Sequence, residues 1–237
     1  MDISQRRLVK ELSAFRSQPG ADGIWYFPYN IYEGIGMVKG NPDTPYAGGY
    51  YLVHFKMTEN YPFDPPVCHH ISFCDRRQSP NFHNDGKVCL SRLNTWEGEP
   101  WLPVMGIASV LTIIKLQVLT DHPLDNEPNY DFSIIDPDNT TNYERFVKYQ
   151  NFRSNVVDII KELEDPASKL HLHQHHLHHM VEVIRSDIMG NLPLYYQLLE
   201  DIRLMDGEHI VCSIYHNSSC LCNYQRLKDD FTELFSL

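Results

Sequence analysis

No long uninterrupted apolar run is present in these 237 residues. The longest apolar stretch, Val104 to Leu119, contains Lys115 and is shorter than the ~20 residues that cross a bilayer, so no membrane span is expected. The start, Met1-Asp2-Ile3-Ser4-Gln5-Arg6-Arg7, lacks the apolar core of a secretory leader, and none is expected. Positive charge is in short supply, with 20 Lys+Arg against 31 Asp+Glu and a formal net charge of −11. An acidic chain repels phosphate backbones, so nucleic acid is not expected as a direct partner. The same balance suits solubility, a basic partner surface or a lysine nucleophile. Six cysteines in a chain of this size do not read as a disulfide framework. A reducing cytosolic or nuclear setting with free thiols is expected.

The length predicts one or two domains at ~100–200 residues each. Residues 2–16 read as an amphipathic helix, with Leu8, Leu12 and Phe15 on one side and Arg6, Arg7 and Lys10 on the other. Pro19-Gly20 ends it. Runs rich in aromatic and β-branched residues follow at 24–31, 35–38, 50–56 and 67–73, separated by Gly, Pro and Asn turns, which predicts an antiparallel meander. Residues 104–119 read as a helix apolar nearly all round, buried against that sheet. The expected class is therefore α+β. Residues 129–141 read as a polar linker and 142–165 as a further helix. Asp165-Pro166 breaks that helix, so the division is a core of 1–165 and an extension of 166–237 with two or three helices packed on the core. There is no internal repeat.

The most informative stretch is Ser79-Pro80-Asn81-Phe82-His83-Asn84-Asp85-Gly86-Lys87-Val88-Cys89-Leu90. Asn-Asp-Gly takes the positive φ angles of a tight reversal, which can fold Asn81 back beside Cys89. A thiol next to a side-chain amide suits thioester chemistry: sulfur carries an acyl group and the amide N–H steadies the oxyanion when that group is attacked. Taken alone, Cys89 could be a small buried hydrophobe and Asn81 a turn residue. Nothing adjacent stabilises a thiolate strongly. An ordinary thiol of pKa ~8.5 is still a few per cent ionised at neutral pH, enough to exchange with an activated thioester.

The flanks make the stretch specific. Thr44-Pro45-Tyr46-Ala47-Gly48-Gly49-Tyr50 and Tyr61-Pro62-Phe63-Asp64-Pro65-Pro66 precede it; Trp96, Trp101-Leu102-Pro103 and Asn126-Glu127-Pro128 follow. In this order the run, over residues 3–131, resembles the ubiquitin-conjugating enzymes. Gly86-Lys87-Val88-Cys89-Leu90-Ser91 and Asn94-Thr95-Trp96 are most similar to the large Z-type members, which also carry a C-terminal extension. The resemblance implies the family fold: an N-terminal helix, a four-stranded antiparallel meander, a catalytic loop and a buried central helix. It implies a transferase that accepts ubiquitin or a related modifier on Cys89 from an activating enzyme. The acyl group then passes to a substrate lysine or a ligase cysteine.

Asn81 matches the family's oxyanion or loop-supporting asparagine. Ser79 stands where the common tripeptide begins with histidine, so Ser79 and Pro80 are expected to brace the loop differently. Glu127 matches an acidic residue at the mouth of the site that can orient an attacking amine, with Asp121 and Asp125 as alternatives or as solvated loop acids. Phe63, Pro103 and Val104 match loops that meet activating enzymes and ligases, and Arg6, Arg7 and Lys10 match the first-helix contact with the activating enzyme. No cofactor is implied, since ATP and magnesium serve the upstream enzyme.

Rival readings are a non-catalytic ubiquitin-binding variant of the same fold, which Cys89 opposes, and a cysteine hydrolase with His83 or His122 as base. Cys68, Cys74, Cys212, Cys220 and Cys222 read as structural; Cys212, His216, Cys220 and Cys222 are a weak zinc candidate, because Cys-x-Cys is not a common finger spacing. The segment 171–179 holds six of the 13 histidines. On a helix, His171, His175 and His179 share a face that can chelate a metal, titrate near neutrality or simply be solvated.

Overall fold

The computed structural model describes residues 2–128, 137–168, 174–215 and 218–235, with backbone alone at 137 and 174–177. Helix α1 (Ile3–Ser17) opens on Asp2, whose carboxylate accepts from the Gln5 amide at 2.7 Å while the Gln5 side chain reaches back to the Asp2 amide. Leu8 is fully buried beneath it, with Leu12 and Phe15 half-buried on the same face.

Four strands follow as an antiparallel meander, β1 (Ile24–Asn30), β2 (Glu33–Lys39), β3 (Tyr50–Lys56) and β4 (Val67–Ile71), in that spatial order. The expected α+β order is present. Tyr51, Val53 and Phe55 share one face of β3, and all three are fully buried. Ile35, Met37 and Leu52, which are also fully buried, show that the sheet is covered on both sides. Gly36 explains how closely one layer approaches, since a Cβ there would lie 2.6 Å from Leu111.

That layer is α2 (Ile107–Ile113), continued by a widened turn over Ile114–Val118. The helix expected over 104–119, apolar nearly all round, lies buried against the sheet but begins at Ile107 and is buried on one side alone. Ile107, Val110, Leu111, Ile114 and Val118 are buried along one stripe, whereas Ala108, Thr112 and Leu116 face solvent. Val104 lies before the helix and is 78% exposed. Gly106 supplies no side-chain cap, and a carboxylate from α1 does so instead: Glu11 Oε2 accepts from the Ile107 amide at 2.8 Å.

The second layer begins with α3 (Pro137–Phe152), which starts inside the segment read as a linker, and runs through a widened turn, Arg153–Asp158, into α4 (Ile159–Glu164). Ser154, Asn155, Val156 and Val157 are buried in succession, because the rod packs against β3 on one side and the C-terminal helix on another. The extension contains α5 (Gln174–Gly190), α6 (Leu192–Arg203) and α7 (Tyr224–Phe235). It also contains a hairpin that periodicity did not reveal, β5 (His209–Cys212) with β6 (Ser218–Leu221). Its strands are four residues each, too short to alternate legibly.

Helix α5 lies along β1 and is locked to the sheet at Asp187. The Asp187 carboxylate takes the Lys39 ammonium at 2.5 Å and the Tyr50 hydroxyl at 2.5 Å. The Tyr195 hydroxyl of α6 lies 3.0 Å from that of Tyr50 and donates to the Gly48 carbonyl. Asp187→Ala leaves a part-buried ammonium and a phenol without their acceptor, and should lower unfolding stability by about 2 kcal/mol. Urea denaturation of the purified chain measures this, and an unchanged midpoint would show that the node does not hold the extension.

Candidate active site

The thiol loop is built by backbone chemistry that its sequence dictates. The His83 amide donates to the Lys87 carbonyl at 3.0 Å and the Gly86 amide to the His83 carbonyl at 2.9 Å, closing the reversal. Gly86 has φ +88°, and a Cβ there would press the His70 carbonyl at 3.1 Å, so glycine is required. The reversal brings Asn81 against Cys89 twice. The Cys89 amide donates to the Asn81 carbonyl at 2.9 Å, and the Asn81 side-chain amide donates to the Cys89 carbonyl at 2.8 Å. Beyond the thiol, the Thr95 hydroxyl accepts from the Leu90 amide at 2.9 Å and lies 2.6 Å from the Val88 carbonyl.

Arg77 organises the other arm. Its guanidinium donates to the carbonyls of Ser79 and Pro80 and lies 3.0 Å from His83 Nε2. The Ser79 hydroxyl is buried and accepts from the Asn81 amide at 3.2 Å. Beneath the loop, Phe82 stacks on His70 with centroids 4.1 Å apart and planes 6° apart. Tyr51 lies behind both rings.

Cys89 is 4% exposed. Burial raises its thiol pKa above the ordinary value; the charges of Lys87 and Arg77 pull it down, and those of Asp85 and Glu127 push it up. The thiol is therefore protonated at neutral pH. Burial, followed by the Arg77 charge, lowers His83, so its ring is neutral and Nε2 accepts from Arg77. His122 is exposed and pairs with Glu144, which raises its pKa. Neither imidazole hydrogen-bonds to Cys89 among the described residues, so no thiol–imidazole pair of a hydrolase forms.

A family model described as Ubiquitin-conjugating enzyme matches residues 7–152. The chain belongs to the ubiquitin-conjugating enzyme family. Ubiquitin-conjugating enzyme E2 Z of Danio rerio is 32% identical over 152 residues, covering 63% of this chain and 46% of that protein. Ubiquitin-conjugating enzyme E2 Z of Homo sapiens is 35% identical over 127 residues, covering 53% and 35%. Each match spans less than half of the relative's length. The solved E2 domain of a Toxoplasma gondii ubiquitin conjugating enzyme is 27% identical and covers 53% of this chain and 79% of that one, with a TM-score of 0.43.

The residues singled out from the sequence divide into groups within this member of the family. Asn81, Ser79, Pro80 and Cys89 come together in one loop. Glu127 joins them through the extension: the Tyr215 hydroxyl donates to its Oε2. Residues 166–237, expected to pack on the core, thus also supply a contact to Glu127 and Arg77 through Tyr215. Asp121 and Asp125 are exposed and act on His122 rather than on the thiol.

Phe63 is 57% exposed, and Pro103 and Val104 are exposed beside the first helix, where Arg6 and Lys10 are also exposed. Arg7 differs from its expected role on an open surface. It pairs with Glu11 and donates to the carbonyls of Pro103, Val104 and Met105, so it shapes this surface from within. Arg77 and Tyr215 were not anticipated; a lone arginine before a turn and a tyrosine at a hairpin tip give no periodic or spacing signal.

His171 and His216 lie outside the described residues, as does the side chain of His175. His179 is exposed, 3.8 Å from Glu182, with its ring edge on Phe27. Among the described residues no cluster of three or more metal-binding side chains occurs. Cys212 donates to the Ser218 carbonyl within the hairpin, and all six cysteines are free.

His70 is buried with neither ring nitrogen hydrogen-bonded, and burial lowers its pKa to about 3. Because the folded value lies below the unfolded one, the unfolded chain binds this proton first as pH falls. Stability is then lost between pH 6.5 and about 3. The slope from this residue approaches about 1.4 kcal/mol per pH unit. His70→Phe preserves the stack on Phe82 and should remove up to about 2 kcal/mol of the loss between pH 6 and 4.5. Urea titrations at both pH values test this; equal losses in the two proteins would contradict it.

Proposed function

We propose that this chain is an active ubiquitin-conjugating enzyme with Cys89 as the acyl carrier. The observation that carries the reading is the double clasp between Asn81 and Cys89. It fixes the thiol's backbone at the end of a braced loop, beside a side-chain amide and with no imidazole hydrogen-bonded to it among the described residues. A protonated, base-free thiol is poorly suited to attacking an amide but well suited to exchange with an ester that is already activated. In the first step the Cys89 sulfur attacks the modifier's C-terminal thioester on the activating enzyme. A C–S bond forms on Cys89, and the activating enzyme's sulfur leaves with the proton.

In the second step a lysine amine, or a ligase thiol, attacks the same carbonyl. For lysine, a C–N bond forms, the C–S bond to Cys89 breaks, and the ammonium proton passes to Glu127 or to water. The Asn81 side-chain amide has two hydrogens. One holds the Cys89 carbonyl, and the second can meet the oxyanion. Exposed Arg6 and Lys10 offer a contact for the activating enzyme, and Phe63 with Val104 offers an apolar one for ligases. No metal or organic cofactor enters these steps; ATP, with its magnesium, is used by the activating enzyme upstream. A cytosolic or nuclear setting keeps the thiol free.

The test offers the purified chain ATP, an activating enzyme and ubiquitin, read on non-reducing gels. Wild type should gain a band that thiol reductant removes, Cys89→Ser a reductant-resistant oxyester, and Cys89→Ala neither. Thioester formation by Cys89→Ala would sink the assignment.

Asn81→Ala separates two roles of the amide. Loss of oxyanion support should slow discharge to free lysine by about 10²–10³, with a smaller loss in charging, where the activating enzyme supplies its own donors. Equal losses in both steps would leave Asn81 as a loop brace alone.

A further inference from the structure

The hairpin of the extension is held along α3 by polar contacts. Asn139 Oδ1 accepts from the Ser213 amide at 3.2 Å and from its hydroxyl at 3.1 Å. Asn142 donates to the Val211 carbonyl at 3.3 Å, and Arg145 pairs with Glu208. These contacts aim the hairpin tip at the thiol loop. At the tip Tyr215 adopts φ +58°, a left-handed conformation that a non-glycine residue keeps only when its surroundings impose it. Its ring lies beneath the Arg77 guanidinium at 4.4 Å and meets the Tyr143 ring edge-on at 5.7 Å. Tyr143 in turn donates to the Arg77 carbonyl at 3.1 Å. The phenol is thus set against the side chain that holds Ser79 and Pro80, and its hydroxyl ends on Glu127.

We propose that Tyr215 is a positioning residue for Glu127, so that the hairpin of the extension completes the acceptor-lysine side of the thiol site. A carboxylate on a loop rotates freely about its terminal bonds. A donor fixed on Oε2 sets the plane of the group and the aim of Oε1, the oxygen left to orient an incoming amine. The donor is itself fixed, by Arg77 on one face of its ring and Tyr143 at its edge. Burial raises the Tyr215 pKa well above the ordinary phenol value, so the hydroxyl keeps its proton and remains a donor wherever a lysine amine can react. Glu127 also lies close enough to the thiol for its charge to act on Cys89. The inference rests on the transferase reading above.

The experiment uses the full chain charged with ubiquitin, in wild-type, Tyr215→Phe, Glu127→Gln and doubly substituted forms. Tyr215→Phe keeps the ring between Arg77 and Tyr143 and removes only the donor. Charging and single-turnover discharge to free L-lysine are measured across lysine concentration and pH. The ratio of discharge to charging should fall about 10-fold in Tyr215→Phe, chiefly through weaker saturation by lysine. The double variant should match Glu127→Gln, because without a carboxylate there is nothing left to position. A full Tyr215→Phe effect on top of Glu127→Gln, a wild-type ratio in Tyr215→Phe, or a wild-type ratio in Glu127→Gln would each overturn the proposal alone. A wild-type chain that takes no ubiquitin on Cys89 from a panel of activating enzymes would overturn the transferase reading and this proposal with it.

Discussion

The Arg77 guanidinium is flat and carries five N–H donors, and here it is shared among the Ser79 carbonyl, the Pro80 carbonyl and His83 Nε2 while its face covers the Tyr215 ring. The Ser79 carbonyl also accepts from the Phe82 amide at 3.1 Å, and the guanidinium adds a donor to it and one to the Pro80 carbonyl, where an unpaired buried carbonyl costs as much as a lost hydrogen bond. A lysine could hold one of them. Only a planar fork holds adjacent carbonyls and stacks on a ring together. Arg77 braces the arm that leads into Asn81, and the double clasp carries that bracing to Cys89. Burial and then the Arg77 charge lower the His83 pKa, and Arg77 occupies its Nε2.

The thiol environment is consistent with the division of labour proposed for this chain. Burial holds Cys89 protonated, the adjacent charges partly offset one another, and among the described residues no imidazole hydrogen-bonds to the sulfur. The carboxylate that could assist an amine stands on a separate loop, Asn126-Glu127-Pro128, and is reached from the far end of the chain. The residues proposed as carrier and as acceptor support thus lie on different elements that converge in space.

Convergence depends on how the extension is docked. Asp187 and Tyr195 fasten α5 and α6 to the beginning of β3, and Asn139, Asn142 and Arg145 fasten the hairpin to α3. Tyr195, Phe152 and Phe231 meet ring to ring, so the extension and the α3 rod share one apolar core. The boundary near residue 165 separates stretches of sequence, and the hydrophobic core crosses it.

Local chemistry made much of this molecule readable from its residues. Asn84-Asp85-Gly86 dictates a reversal whatever surrounds it, because Gly86 alone tolerates the required φ, and the reversal fixes Asn81 beside Cys89. The four strands and α1 follow from short-range apolar spacing and from Asp2 as a cap. Three features were decided only by the tertiary structure. The stripe of α2 that faces solvent depends on which side Gly36 admits, the partners of Arg7 and Arg77 are carbonyls far off in sequence or in turns of no fixed pattern, and the hairpin strands are too short to carry a period. Tyr215 is the clearest case. Nothing near it in sequence distinguishes it from a surface tyrosine, and its contact with Glu127 spans 88 positions of chain. Sequence determines conformations set by a residue and its immediate neighbours; a contact between distant residues comes into being only when the packed core brings them together.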